Sequence, residues 1–222
     1  MKIFADTSNV DEIELLNDFS LIHGVTTNPT LMMKEIKSGN TSHWHEIVKE
    51  ICNTIQKPVS AEVTSSTVDK MVAEGRTLSK LHKHIVVKLP CTPHGIKACD
   101  VLANYQGIKV NMTLCFNVAQ AVVAANAGAS YISPFVGRMD DYSFGTGVEL
   151  VKNIQEAYMN DEYDTKILAA SIRNVEHFNQ VAPYADYATC PPKVIWDIFK
   201  HKLTVSGLEQ FEKDWKIANE DS

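Results

Sequence analysis

The sequence predicts an α/β protein: a single (β/α)8 TIM barrel over residues 1–203, with an extra C-terminal helical arm over 204–222. Three observations carry that prediction. Short β-branched runs alternate with longer amphipathic stretches through eight consecutive units. Runs such as "IVV" and "ILAA" are apolar throughout, as strands covered on both faces should be. The rival open, doubly wound sheet usually carries a Gly-rich turn after its first strand, and "FADTSNVDE" contains no GxGxxG.

Taken in order, the expected strands are "KIFADT" (2–7), "LIHGVTTN" (21–28), "PVSAEV" (58–63), "HIVVKLP" (84–90), "KVNMTLCF" (109–116), "SYISPFV" (130–136), "KILAASI" (166–172) and "DYATC" (186–190). Helices are expected at 11–19, 41–56, 67–82, 95–105, 118–128, 147–160, 174–182 and 191–201. Connections are short, and no Pro/Gly/Ser linker or charge run divides the chain. In the tail, Leu208, Phe211 and Trp215 fall at i, i+3 and i+7 and make one apolar stripe. That stripe suits docking on the chain's own barrel or packing on a neighbouring subunit.

Composition narrows the function. With 222 residues, 45% hydrophobic and 22% charged, the chain falls in the ordinary globular class. A net charge of -6 argues against a broad nucleic-acid surface, although small basic pockets for phosphate remain compatible with it. The opening "MKIFADTSNV" reads as a strand and turn rather than a signal peptide, and no membrane-length apolar run is present. Five scattered cysteines without a CxxC pair fit a reducing cytoplasm better than a disulfide framework. His43 and His45 in "SHWHE" lack further ligand-type residues at metal spacing and read as exposed helix residues.

In a barrel of this type the C-terminal ends of the strands form the active face. Read off in order, those ends carry Asp6; Thr26, Thr27 and Asn28; Glu62; Lys88; Asn111 and Thr113; Ser133 and Arg138; Ser171 and Arg173. The eighth strand ends in Cys190 and Pro191, which suggest no chemistry. Seven consecutive polar ends, with two carboxylates and a lysine among them, form a constellation. Lys88 taken alone reads as a strand-end lysine reaching solvent; within the constellation it reads as an amine kept neutral by apolar walls to attack a carbonyl. One carboxylate would move a substrate proton and the other would handle the water of imine formation. Arg138, Ser171 and Arg173 would bind a phosphate.

Each of these residues also has a plain structural reading. Asp6 suits a helix N-cap or turn, Asn28 a turn before Pro29, and Arg138 and Arg173 surface ion pairs. Asn111 and Thr113 share one strand face and suit barrel filling. For Glu62 the structural reading is weaker, because a lone carboxylate in an apolar strand is costly.

The motifs "FADTSN", "GVTTNPTL", "SAEV", "VVKLP", "NMTLCF", "SPFVGRMDD", "AASIRN" and "ATCPPKVIW" resemble the transaldolases. More narrowly, they resemble the short subfamily that includes fructose-6-phosphate aldolase, from residue 2 to the tail. The resemblance implies a (β/α)8 barrel, a Schiff-base lysine at Lys88, and no metal or organic cofactor. It implies that Asp6 handles the proton of the C4 hydroxyl, that Glu62 and Thr113 hold a catalytic water, and that Asn28 and Asn111 bind the dihydroxyacetone hydroxyls. Ser133 would be a further contact there, and Arg138, Ser171 and Arg173 would take the sugar phosphate.

Within the family, Glu62 and Phe135 resemble the transaldolase choices, where the aldolases tend to have Gln and Tyr. An apolar Phe135 offers no proton donor to help hydrolyse the adduct. The resemblance therefore implies dihydroxyacetone transfer between ketose and aldose phosphates in the non-oxidative pentose phosphate pathway. An aldolase releasing free dihydroxyacetone is the alternative, and a non-catalytic sugar-phosphate-binding barrel is the alternative of another class. A cytoplasmic homo-oligomer, pentamer or decamer, is implied, with sugar phosphates as its ligands and no nucleic acid or membrane. Cys91 and Cys190 depart from the pattern without touching the inferred mechanism; a thiol near the active face would make activity sensitive to oxidation.

Overall fold

A computed structural model describes residues 1–38, 43–142 and 146–220. Eight parallel strands pair in sequence order and close into a barrel: β1 (Lys2–Asp6), β2 (Val25–Thr26), β3 (Val59–Glu62), β4 (Ile85–Pro90), β5 (Val110–Cys115), β6 (Tyr131–Pro134), β7 (Lys166–Ala169) and β8 (Tyr187–Cys190). Closure is made by β8 on β1, with Phe4 opposite Thr189 and Ala5 opposite Cys190. The outer layer comprises α1 (Val10–Asp18), α2 (Pro29–Ser38), α3 (Trp44–Ile55), α4 (Val68–Ser79), α5 (Pro93–Gln106) and α6 (Val118–Asn126). It continues with α7 (Val136–Asp141), α8 (Gly147–Asn160), α9 (Val175–Val181) and α10 (Pro192–Asp197), and the chain ends in α11 (Lys202–Glu220).

The (β/α)8 barrel expected from the sequence is therefore present, with two additions. β2 and β6 are each followed by a pair of helices, so α2 and α7 exceed the one-helix-per-strand pattern. Neither carries a full apolar stripe. α2 buries only Met32, and α7 is six residues long. Residues 41–42 of the expected 41–56 helix and residues 221–222 of the expected tail lie outside the described residues.

Polar residues just beyond the strands start the helices. Asn9, Thr92, Asn117, Thr146 and Asn174 each accept a hydrogen bond from the backbone N–H three residues on. Asn28 does the same for α2, accepting from Leu31 N at 3.0 Å, with Pro29 at the first helical position.

Two apolar layers hold the barrel. Outward-facing strand residues such as Val25, Val59, Val87, Val110 and Ile132 pack in one cluster with helix residues including Ile13, Ile51, Leu78, Leu102 and Ile154. A separate cluster consists of Phe4, Val86, Tyr131 and Leu168, with Tyr187 against it. Phe4 and Tyr131 come from β1 and β6, which are not neighbours, so their 6.2 Å ring contact runs through the barrel interior. A Cβ on Gly24 would lie 2.5 Å from the Phe4 ring, so only glycine leaves room for this plug.

Because side chains alternate along a strand, the residue two positions beyond each plug residue also faces inward. Those residues are Asp6, Lys88, Ser133, Ala170 and Thr189, and all five line one cavity at the C-terminal end of the strands. The aromatic plug is thus the floor on which the polar layer stands.

Candidate active site

The cavity above the plug opens to solvent and spans about 470 Å³. Asn28, Phe135, Arg138 and Ser171 complete its wall with Thr26. Lys88 projects into it from β4 and is only 5% exposed, so it does not reach past the barrel to solvent. Its Nζ lies 2.9 Å from Glu62 Oε2 and donates to the Thr27 carbonyl at 3.1 Å. Lys88 is opposite Glu62 on one side and opposite Asn111 on the other, so strand register alone brings the three together. Apolar walls are expected to keep this amine neutral; one of the two expected carboxylates is in direct contact with it as well.

Asp6 ends β1 opposite Thr26. Thr26 Oγ1 donates to Asp6 Oδ1 at 2.8 Å and lies 2.6 Å from Thr189 Oγ1. The single proton of Thr26 is committed to Asp6, so Thr189 is the donor in the second bond. Burial pushes the Asp6 carboxyl above the ordinary aspartate range, although the positive charge of Lys88 and the Thr26 hydrogen bond pull the other way. α1 takes its cap from Asn9, so Asp6 is not the N-cap its sequence context also suited.

A second buried chain runs beneath the lysine. Ser133 Oγ donates to Asn111 Oδ1 at 2.8 Å, and Asn111 Nδ2 donates to Ser60 Oγ at 3.1 Å. These bonds fix the orientation of the Asn111 amide. Asn111 is fully buried and meets the cavity through Ser133 rather than lining it. Thr113, two residues further along β5, is also buried, and its Oγ1 has no hydrogen-bond partner among the described residues. The ladder between β5 and β6 shifts register between Met112 and Cys115, where Leu114 adopts a φ of 57°. Ser171 on the cavity wall has a φ of 59°. Left-handed backbone at two non-glycine residues on this face is of the kind that concentrates at functional sites.

The remaining candidates divide. Phe135 lines the cavity and lies between Phe116, at 5.6 Å between ring centroids, and Arg138, whose guanidinium carbon lies 4.8 Å above the ring. Arg138 and Ser171 line the cavity. Arg173 does not; its guanidinium is in a bidentate pair with the Asp141 carboxylate, the surface ion pair its sequence position allowed. Asn28 both caps α2 and lines the cavity. Glu62 borders a second, more apolar hollow with Met32, Met33, Ile36 and Trp44. A larger open groove, about 800 Å³, lies between the end of α8, the start of β7 and the segment leading into β8, and its lining holds no comparable set of buried ionisable groups.

Thr189 and Ser60 were missed as site residues. Strand eight reads as silent in the sequence because it ends in Cys190; Cys190 faces the helices, and Thr189, one position earlier, faces the cavity. Alternation from the aromatic Tyr187 would have found it. Neither of the two thiols singled out in the sequence lines the cavity. Cys190 is fully buried and its thiol is pushed up to about 12, chiefly by burial. Cys91 is likewise pushed upward, first by a hydrogen bond with Cys115 and then by burial. His43 is the N-cap residue of α3 and His45 lies on that helix; no group of three metal-ligating side chains occurs among the described residues.

Eight parallel strands with a buried lysine–carboxylate pair at their C-terminal ends define the class: a TIM-barrel protein with an ionisable site inside the barrel mouth. The model of the transaldolase/fructose-6-phosphate aldolase family matches residues 3–222, and the chain belongs to that family. A "Probable transaldolase" of Paracoccus denitrificans is 50% identical over 216 residues, covering 97% of this chain and 96% of that protein. One from Agathobacter rectalis, of the same name, is 48% identical over 221 residues, covering 98% and 99%. Among solved structures, an orotidine 5'-monophosphate decarboxylase from Methanocaldococcus jannaschii, complexed with the inhibitor BMP, superposes with a TM-score of 0.63. It covers 96% of this chain and 97% of that one at 13% identity, a likeness of fold alone.

Proposed function

We propose that the protein is a transaldolase, moving a dihydroxyacetone unit from a ketose phosphate to an aldose phosphate through an imine on Lys88. The observation that carries the reading is the buried Lys88 amine, 2.9 Å from Glu62 and facing the same cavity as Asp6, Arg138 and Ser171. Sedoheptulose 7-phosphate with glyceraldehyde 3-phosphate would give erythrose 4-phosphate and fructose 6-phosphate.

The chemistry follows from the positions. Lys88 Nζ, as the free amine, adds to the ketose C2 carbonyl, and the carbinolamine expels water to form an iminium. Glu62, in contact with Nζ, takes the amine proton and with Thr113 holds the water. The unpartnered Thr113 hydroxyl suits that part, since a buried donor without a partner is costly. Asp6 then removes the C4 hydroxyl proton as the C3–C4 bond breaks, and the electron pair is accepted by the iminium to give an enamine. The aldose phosphate leaves, an acceptor aldehyde takes its place, and the same steps run in reverse. The iminium is itself the electron sink, so the scheme uses no metal or organic cofactor.

Asn28, Asn111 and Ser133 are assigned to the hydroxyls of the dihydroxyacetone unit, and Arg138, Ser171 and Arg173 to the phosphate. Phe135 puts no hydroxyl on the cavity wall, which supports retention of the adduct for transfer over its hydrolysis. The reading extends to a homo-oligomer working in the cytoplasm. It is consistent with five free cysteines, and no helix among the described residues is long and apolar enough to cross a membrane.

The test is intact mass after incubation with fructose 6-phosphate and borohydride, for wild type and Lys88→Ala. One dihydroxyacetone-sized increment on wild type alone is expected, discharged when erythrose 4-phosphate precedes the reductant. An increment that the acceptor does not discharge, with free dihydroxyacetone accumulating, would make the protein an aldolase. No increment on either protein would leave a sugar-phosphate-binding barrel.

A further inference from the structure

We propose that Asp141 is a specificity-determining positioning residue: its carboxylate competes with the phosphate monoester of the substrate for Arg173. The proposal rests on the reading of Arg138, Ser171 and Arg173 as the phosphate site. Arg173 Nη1 and Nη2 donate to Asp141 Oδ1 and Oδ2, the paired geometry that a guanidinium makes with carboxylate and phosphate alike. The competing anion is therefore built into the chain.

Location supports the competition. A Cβ on Gly137 would meet the Ser171 carbonyl oxygen at 2.6 Å and Arg173 Nε at 2.7 Å. The Arg173 stem is thus packed on the α7 backbone beside Ser171, one residue from Arg138, while its head turns to Asp141. The Arg173 hydrogen bond first, and then the charges of Arg173 and Arg138, hold Asp141 below the usual carboxylate range. Asp141 therefore stays ionised at neutral pH and offsets both arginines of the site.

The neighbouring Asp140 shows what a structural carboxylate looks like here. It accepts from Gly147 N at 2.8 Å and faces His177 Nε2 at 3.3 Å, tying α7 to α8 and α9. The ion-pair partner of Asp141 among the described residues is Arg173, and the two side chains are 46% and 48% exposed. With both side chains about half exposed, the pair is screened by solvent and open to a competing anion. A phosphate monoester brings more negative charge and three acceptor oxygens, so it can take the guanidinium from the carboxylate.

The experiment uses the full chain and two readouts, inhibition by inorganic phosphate and steady-state kinetics with phosphorylated and unphosphorylated glyceraldehyde as acceptors. Asp141→Asn should lower both the phosphate inhibition constant and the KM for the phosphorylated acceptor by about two- to fivefold, the range set by an exposed ion pair. It should leave kcat and the KM for the unphosphorylated acceptor in place, and Asp141→Glu should behave as wild type. Arg173→Ala should raise the phosphate constants. If Arg173→Ala raises them and Asp141→Asn does not lower them, Asp141 is a fixed support for Arg173 and the proposal fails while the phosphate site stands. If Arg173→Ala leaves phosphate inhibition unchanged, Arg173 is no phosphate ligand and both fall. Should Asp141→Asn not fold, Asp141→Ser carries the same test.

Discussion

Glu62 Oε2 stands 2.9 Å from Lys88 Nζ, and strand register sets their Cα atoms opposite one another on β3 and β4. The contact is inherent in the barrel rather than the product of a flexible loop. Glu62→Gln keeps the shape and a hydrogen-bonding group but removes the proton acceptor. We expect kcat to fall by about 10²–10⁴-fold, the range for loss of a general acid–base group. Lys88 should still be trapped by borohydride at long incubation, only more slowly. Stopped-flow imine formation measures this directly; a Glu62→Gln enzyme as fast as wild type would remove Glu62 from the mechanism.

Asp6 predicts opposite effects on activity and stability. Its carboxyl is held above the ordinary range, first by burial, so the native fold binds this proton more tightly than the unfolded chain does. The contribution to stability is then fully present below the unfolded value and is lost as pH rises through the higher native value. As the pH rises toward neutrality, Asp6 therefore contributes progressively less to the fold than it does in acid. Asp6→Asn should therefore melt at or above the wild-type temperature near pH 7.5, and the difference should shrink as the pH is lowered toward 4. Activity should fall by about 10²–10⁴-fold over the same neutral range. In wild type, the acidic limb of kcat/KM should lie above the usual aspartate range. A variant less stable than wild type at neutral pH would mean that the charge of Asp6 supports the fold through Lys88.

The sequence carried the barrel because alternation and apolar runs are set by strand pleat and by burial on both faces, and both act locally. It carried Asp6 and Lys88 for the same reason: each is two residues beyond an apolar interior residue on its own strand. What it did not carry depends on neighbours distant along the chain. Thr189 matters through Thr26, which is 163 residues away in sequence. The engagement of Arg173 with Asp141 depends on the packing of α7, a helix too short to show periodicity. α2 was missed for a related reason, since its start lies in the Asn28–Pro29 pair, which also reads as a turn.

The last prediction concerns α11. Leu208, Phe211 and Trp215 are 59%, 71% and 72% exposed, and among the helix residues whose side chains are described only Gly207 is half-buried. Of the two destinations the stripe allowed, docking on its own barrel is thus not the one observed. Most helical stability in proteins comes from packing of an amphipathic face, and apolar side chains of this size gain roughly 1.5–3 kcal/mol each on full burial. We expect another copy of the chain to cover the stripe, making the protein a homo-oligomer, with a pentamer or decamer as the expected sizes. Sedimentation velocity should show the full chain as an assembly, and truncation after His201 should give a monomer that still forms the Lys88 adduct. The triple change Leu208→Ser, Phe211→Ser and Trp215→Ser should do the same without shortening the chain. If truncated and full-length proteins sediment as the same assembly, the subunit contact lies on the barrel and the arm has another partner. If both are monomers, the arm is not a subunit contact.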